Sequence, residues 1–210
     1  MDVQVMTSSE LLAHEAELRS VYVDAFCAPP WSEGEEEADA FVRRLAGQVR
    51  RPGFTAAIAF AEPGPVPGPG DAGSPASGRT GPRTAGVLGF ATAWTTLAPF
   101  PTDRCYPEAA AGLGPAHTVD WLCGAREVDE LAVRPSAHGT GVAARLLEAV
   151  TEGAPGGRSW LLTSVRSARA MAFYRRQGWS QATHPSPDGA GVAVFLGPRH
   201  PARSLTAQPL

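Results

Sequence analysis

At 210 residues the chain is long enough for one sizeable hydrophobic core and too short for two. A hydrophobic content of 43% and a charged content of 19% are those of a soluble globular protein, and no apolar run nears the roughly 20 residues that span a bilayer. A formal charge of −3 argues against a nucleic-acid binder, although all 18 Lys and Arg positions are arginine and the chain has neither lysine nor asparagine.

In chain order, Val3 to Met6 reads as a short strand. Ser8 or Ser9 can cap a helix that carries Leu11, Leu12, Leu18, Val21 and Tyr22 and ends before Pro29 and Pro30. Ser32 followed by Glu35 fits a capping box for a second helix with Phe41, Val42 and Leu45 on one side. Phe54 to Ala61 and Gly86 to Thr96 predict an antiparallel pair of strands. The Gly-, Pro- and Ser-rich residues 62–85 between them cannot bury enough apolar surface to offset their ordering entropy, which predicts a mobile hairpin loop. Residues 97–124 form a second excursion containing Phe100, Tyr106, Trp121 and Leu122, either an ordered insertion over a cleft or a loop packed on the sheet.

Glu127 to Val133 is the next strand, and Thr140 to Glu152 a helix with Val142, Leu146, Leu147 and Val150 inward, stopped by Gly153 and Pro155. Ser159 to Val165 is a buried strand, Ser167 to Gln177 a helix closed by Gly178, and residues 179–183 with 191–196 a final hairpin. The reading is a single α/β domain over 1–197, a mixed sheet flanked by helices, with a loose tail over 198–210. Cys27, Cys105 and Cys123 are odd in number and lack metal-ligand spacing, so reduced thiols and no metal are expected. No basic region followed by an apolar one opens the sequence, which makes cytoplasm the expected compartment.

The most informative run is Arg126 to Trp179. Two glycines follow a strand and open directly into a helix, an arrangement that aims unpaired N–H groups and the positive end of the helix dipole at an anion. Leu131-Ala-Val133, Pro135, His138-Gly-Thr-Gly141-Val-Ala143 and Leu146-Leu147 resemble the acetyl-CoA motif of the GNAT acyltransferase superfamily, Arg/Gln-x-x-Gly-x-Gly/Ala. Ser167-Ala-Arg-Ala170-Met-Ala-Phe173-Tyr174, followed by Gly178-Trp179, resembles its second landmark, Asn-x-x-Ala-x-x-Phe-Tyr with Gly-Phe. Ser167 stands where the family has asparagine, and His138 where it has Arg or Gln.

The resemblance implies a GNAT-like fold and an acetyl-CoA-dependent N-acetyltransferase acting on a primary amine, small-molecule or peptide. The alternative is a non-catalytic acyl-CoA-binding sensor or scaffold of the same fold. Acetyl-CoA would be the co-substrate. His138, Gly139, Thr140, Gly141, Val142 and Ala143 would cradle its pyrophosphate, Leu131, Ala132 and Val133 would pair with the pantetheine arm, and Ser167 and Ala170 would border it. Tyr174 matches the general acid near the thioester sulfur, and a phenol with a reference pKa near 10 is protonated at pH 7. Glu127 and Glu130 are the candidate bases, with an ordered water as a third choice. Strand alternation sends Glu127 and Asp129 to one face and Glu130 to the other unless a bulge intervenes. Trp31, in the segment that resembles the break between the family's first two helices, is a candidate acceptor contact, as are Phe100 and Trp121. Neither nucleic acid nor membrane is an expected partner, and a homodimer is left open.

Overall fold

The computed structural model describes residues 1–62, 86–185 and 191–206. Among the described residues there are seven strands: β1 (Asp2–Met6), β2 (Thr55–Phe60), β3 (Val87–Thr95), β4 (Arg126–Val133), β5 (Ser159–Ser164), β6 (Ser180–Gln181) and β7 (Val192–Leu196). They form one sheet in the order β1-β2-β3-β4-β5-β7-β6, antiparallel throughout except for the parallel pair β4 and β5. The hairpin loop expected at 62–85 lies, apart from Glu62, outside the described residues.

The central strands are short apolar runs whose pleat divides the core in two. Ala57, Ala59, Ala91 and Ala93 face α6 (Val142–Thr151), which lays Leu146, Leu147 and Val150 against them. Ala56, Ile58 and Phe90 face the other way, onto Leu18 of α2 (Glu15–Phe26) and Phe41 and Leu45 of α3 (Glu35–Gln48). The helical caps sit beside the expected ones. Thr7, not Ser8 or Ser9, opens α1 (Ser8–Ala13), its Oγ1 accepting from the Glu10 N–H while Glu10 accepts from the Thr7 N–H. The box expected at Ser32 and Glu35 does not form: α3 opens two residues later at Gly34, whose N–H donates to Glu37 but which has no side chain to return the bond.

Residues 97–124 are an ordered insertion that also packs on the sheet, so both readings of this segment hold in part. It contains α4 (Tyr106–Leu113), the short α5 (Pro115–His117) and a π-helical turn (Thr118–Leu122). Tyr106, Ala109, Trp121 and Leu122 cover Trp160, Val194 and Leu196 in a third core cluster. The expected loose tail is corrected over its first part. His200 is 3% exposed, donates through Nε2 to the Trp121 carbonyl and accepts from the Ala202 N–H, and a short helix follows at Pro201–Leu205. The surface that holds this segment belongs to the insertion, about 80 residues earlier, which local sequence could not reveal.

Candidate active site

β4 and β5 pair over only three positions, from Arg126↔Ser159 to Val128↔Leu161. Beyond them β4 continues to Val133 and β5 to Ser164 without a shared ladder, so the two parallel strands part and open the sheet. A cavity of about 460 Å³ occupies this opening. Its walls are Leu131 of β4, Leu162 to Ser164 of β5, Ala170 and Tyr174 of α7 (Ala168–Arg176), and Tyr22, Phe26 and Trp31 at the corner between α2 and α3. The insertion closes the side with Arg104, Cys105 and Tyr106.

Opposite Ala93, β4 carries a bulge. Thr92 pairs with Glu130 and Ala93 with Val128, which leaves Asp129 as the extra residue. A bulge re-aims side chains that strict alternation would separate, and here Glu127, Asp129 and Glu130 all border the cavity. Glu127 is 4% exposed and surrounded by neutral donors: Tyr106 Oη at 2.5 Å, Thr96 Oγ1 at 3.0 Å and Trp94 Nε1 at 3.2 Å. Trp160 Nε1 in turn donates to Thr96. Burial pushes the Glu127 carboxyl up to about 7, against the opposing pull of the Tyr106 hydrogen bond. Glu130 has no hydrogen bond or ion pair among the described residues, and burial, reinforced by Asp129, lifts it above the usual carboxylate range. The buried Asp129 carboxylate is held by Arg104 Nη1 at 2.5 Å and by Gln48 Nε2 at 3.2 Å.

Tyr174 is 8% exposed, packed against Trp179 and Phe195, and lines the cavity; its hydroxyl has no hydrogen-bond partner among the described residues. Burial and the nearby Glu130 raise its pKa, so the phenol keeps its proton at neutral pH. Ser167 is the N-cap of α7, its Oγ accepting from the Ala170 N–H at 3.3 Å. That role needs a short oxygen acceptor, which serine supplies as well as asparagine.

The glycine turn is shaped for an anion. Gly139 and Gly141 have φ of +81° and +85°, a region that glycine enters without strain, and a Cβ at either would meet only open space. The N–H groups of Gly139, Gly141, Val142 and Ala143 make no backbone hydrogen bond among the described residues, while those of His138 and Thr140 are taken by Pro135 and Ala137. The six-residue cradle expected from sequence therefore narrows to four free donors. These fit the pyrophosphate of acetyl-CoA. On its β5 side, β4 from Asp129 to Val133 has no ladder partner, and Leu131 faces the cavity, which suits an extended amide-bearing arm.

His138 departs from its expected part. Its Nε2 donates to the Val133 carbonyl at 3.1 Å, leaving Nδ1 as an acceptor, and burial with the Arg169 guanidinium pushes its pKa below the usual histidine range. A neutral ring of this tautomer offers a phosphate nothing. Affinity for acetyl-CoA is therefore expected to stay flat between pH 7.5 and 6, and a titration by calorimetry at both pH values checks it. A severalfold gain at pH 6 would show the imidazolium in contact with phosphate.

Of the three expected acceptor contacts, Trp31 lines the cavity. Phe100 instead packs its ring on Tyr106 and Trp160, and Trp121 stacks on His117, both within the third core cluster. The insertion serves the site through Arg104 and Tyr106, neither of which sequence singled out as a site residue. Among the described residues no group of three His, Cys, Asp or Glu could hold a metal ion, and no helix is long and apolar enough to cross a membrane.

Comparison with known proteins agrees with this geometry. A family model described as "Acetyltransferase (GNAT) domain" matches residues 108–181. No curated protein matches the chain in sequence. Among solved structures, the chain is similar to a "histone acetyltransferase HPA2 and related acetyltransferase" from Corynebacterium glutamicum, with 18% identity, 100% and 99% of the two chains covered and a TM-score of 0.55. It is also similar to the PaiA N-acetyltransferase of Thermoplasma acidophilum in complex with coenzyme A, at 12% identity, 94% and 99% coverage and a TM-score of 0.53. Arabidopsis thaliana NAA60 in complex with a bisubstrate analogue follows at 14% identity, 93% and 98% coverage and a TM-score of 0.52. The matched domain spans the glycine turn and the Tyr174 helix, and along nearly its whole length the chain shares the fold of these GNAT acetyltransferase structures.

Proposed function

We propose that the protein transfers the acetyl group of acetyl-CoA to a primary amine. The observation that carries this reading is one cavity, at the point where β4 and β5 part, bordered by both a carboxyl group (Glu130) and a protonated phenol (Tyr174) that have no hydrogen-bond partner among the described residues. Acyl transfer from a thioester needs little more than positioning, removal of a proton from the ammonium and return of one to the thiolate. Glu130 takes the ammonium proton, directly or through one water, and Tyr174 gives its proton to the departing sulfur. Glu127, saturated with donors, holds the wall behind them and fixes the insertion against β4. Burial lifts the Glu130 carboxyl to about 8, close enough to neutral pH for it to take and give up a proton there. The similar PaiA protein is an N-acetyltransferase, which supports an amine acceptor here.

A panel of tyramine, spermidine, an aminoglycoside and a peptide with a free amino terminus, read by release of free CoA, tests the proposal. Amine-dependent release is expected, with Glu130→Gln lowering kcat/KM by roughly 10²-fold. Saturable acetyl-CoA binding with no amine-dependent release would instead favour an acyl-CoA sensor.

A further inference from the structure

We infer that Arg104 is a positioning residue for the acid–base chemistry of β4: from the insertion it pins Asp129 at the bulge and supplies the positive charge beside which Glu127 and Glu130 become negative. The geometry is specific. Arg104 reaches across the cavity mouth from the insertion to β4, 25 residues on, and bonds a carboxylate whose side chain is 1% exposed. Its backbone sits at φ +52°, a conformation costly for a non-glycine residue and retained where the surroundings impose it. Asp129 exists in this position only because of the bulge, and it adds a third acidic group beside Glu127 and Glu130, of which Glu130 must ionise to act. Without a cation there, three carboxylates would share one low-dielectric wall, and like charges oppose each other's ionisation.

Other charges bear on the same groups. Glu130 faces Glu33 from the segment before α3 and Arg44 from α3, with Tyr22 and Tyr174 nearby. Glu37 of α3 borders the same cavity. Glu127 faces Tyr106 from α4, together with Trp94 and Thr96 of the neighbouring strand region. Of the two guanidiniums on the cavity wall, Arg44 acts on Glu130, whereas Arg104 lowers the pKa of both Glu127 and Glu130, the reverse of Asp129. Arg44 is exposed and has no ion pair among the described residues.

This inference rests on the reading of Glu130 as the proton acceptor, but its first readout does not require turnover. The carboxyl resonances of Glu127 and Glu130, labelled with carbon-13 and assigned by Glu→Gln substitution, report their titration midpoints directly. Asp129→Asn removes the buried charge while keeping its shape, so it provides a background in which Arg104 can be changed without stranding an anion. Asp129→Asn is expected to lower both midpoints. Adding Arg104→Gln should raise them again by about one pH unit, and adding Arg104→Lys should leave them near the Asp129→Asn values. The rise of kcat/KM with pH, measured on the best acceptor of the amine panel, should move in the same directions. The acceptor's own titration is common to all variants and cancels. Midpoints that coincide in Asp129→Asn and Arg104→Gln/Asp129→Asn would overturn the inference. Midpoints that move while no amine is acetylated would leave the inference standing and sink the acetyltransferase reading instead.

Discussion

Tyr174→Phe is expected to lower the turnover number by roughly 10²-fold while leaving acetyl-CoA affinity nearly unchanged, the usual scale for losing a general acid. The substitution keeps the ring that packs on Trp179 and Phe195 and removes only the hydroxyl. Tyr174 lines the cavity and its hydroxyl makes no hydrogen bond among the described residues, so folding should not suffer. Burial and Glu130 both hold the phenol protonated, so the acid is available throughout the neutral range. Steady-state kinetics and thermal melting on one preparation separate this role from packing. Full turnover with a lowered Tm would remove Tyr174 from the chemistry.

Glu127→Gln is expected to stabilise the protein at high pH and not at low pH. Because the folded-state pKa is raised, from an ordinary 4.5 to about 7, the native state holds a proton that the unfolded chain has already lost. Stability from this group is therefore greatest below about 4.5, falls as pH rises, and has lost its full amount above about 7. At about 1.4 kcal/mol per tenfold, that displacement amounts to something on the order of 3 kcal/mol. A neutral amide of the same shape avoids the loss: its oxygen can accept from Trp94 and Thr96, and its nitrogen can donate to Tyr106. Melting at pH 8 should show a gain of roughly 6 to 12 °C, a scale set by the length of the chain, and melting at pH 4 almost none. A lower Tm at both pH values would mean that the three donors hold an ionised carboxylate and that burial matters less than hydrogen bonding.

Much of this molecule was legible wherever the signal is local. The glycine turn lies between a strand and an amphipathic helix within about 25 residues, so β4, the turn and α6 could be placed with their inward side chains. The same holds for β5, its following helix and the position of Tyr174. What escaped the sequence depends on distant partners. Whether Glu127 and Glu130 share a cavity turned on one extra residue at Asp129, and a bulge leaves no composition signal. Tyr106 and Arg104 find Glu127 and Asp129 across 21 and 25 residues, through a folded insertion whose aromatics were more conspicuous than its functional groups. His138 occupies the expected motif position, yet its ring turns inward to a carbonyl, a choice of rotamer and tautomer that no pattern encodes.

The central claim is that the parting of β4 from β5 receives the acyl donor with its thioester beside Tyr174 and its phosphates on the glycine turn. A crystal structure of the protein with acetyl-CoA tests it most directly. The pyrophosphate is expected within hydrogen-bond distance of the N–H groups of Gly139, Gly141, Val142 and Ala143, and the sulfur within reach of the Tyr174 hydroxyl. Acetyl-CoA bound elsewhere, with the β4–β5 opening empty or filled by a side chain, would contradict it.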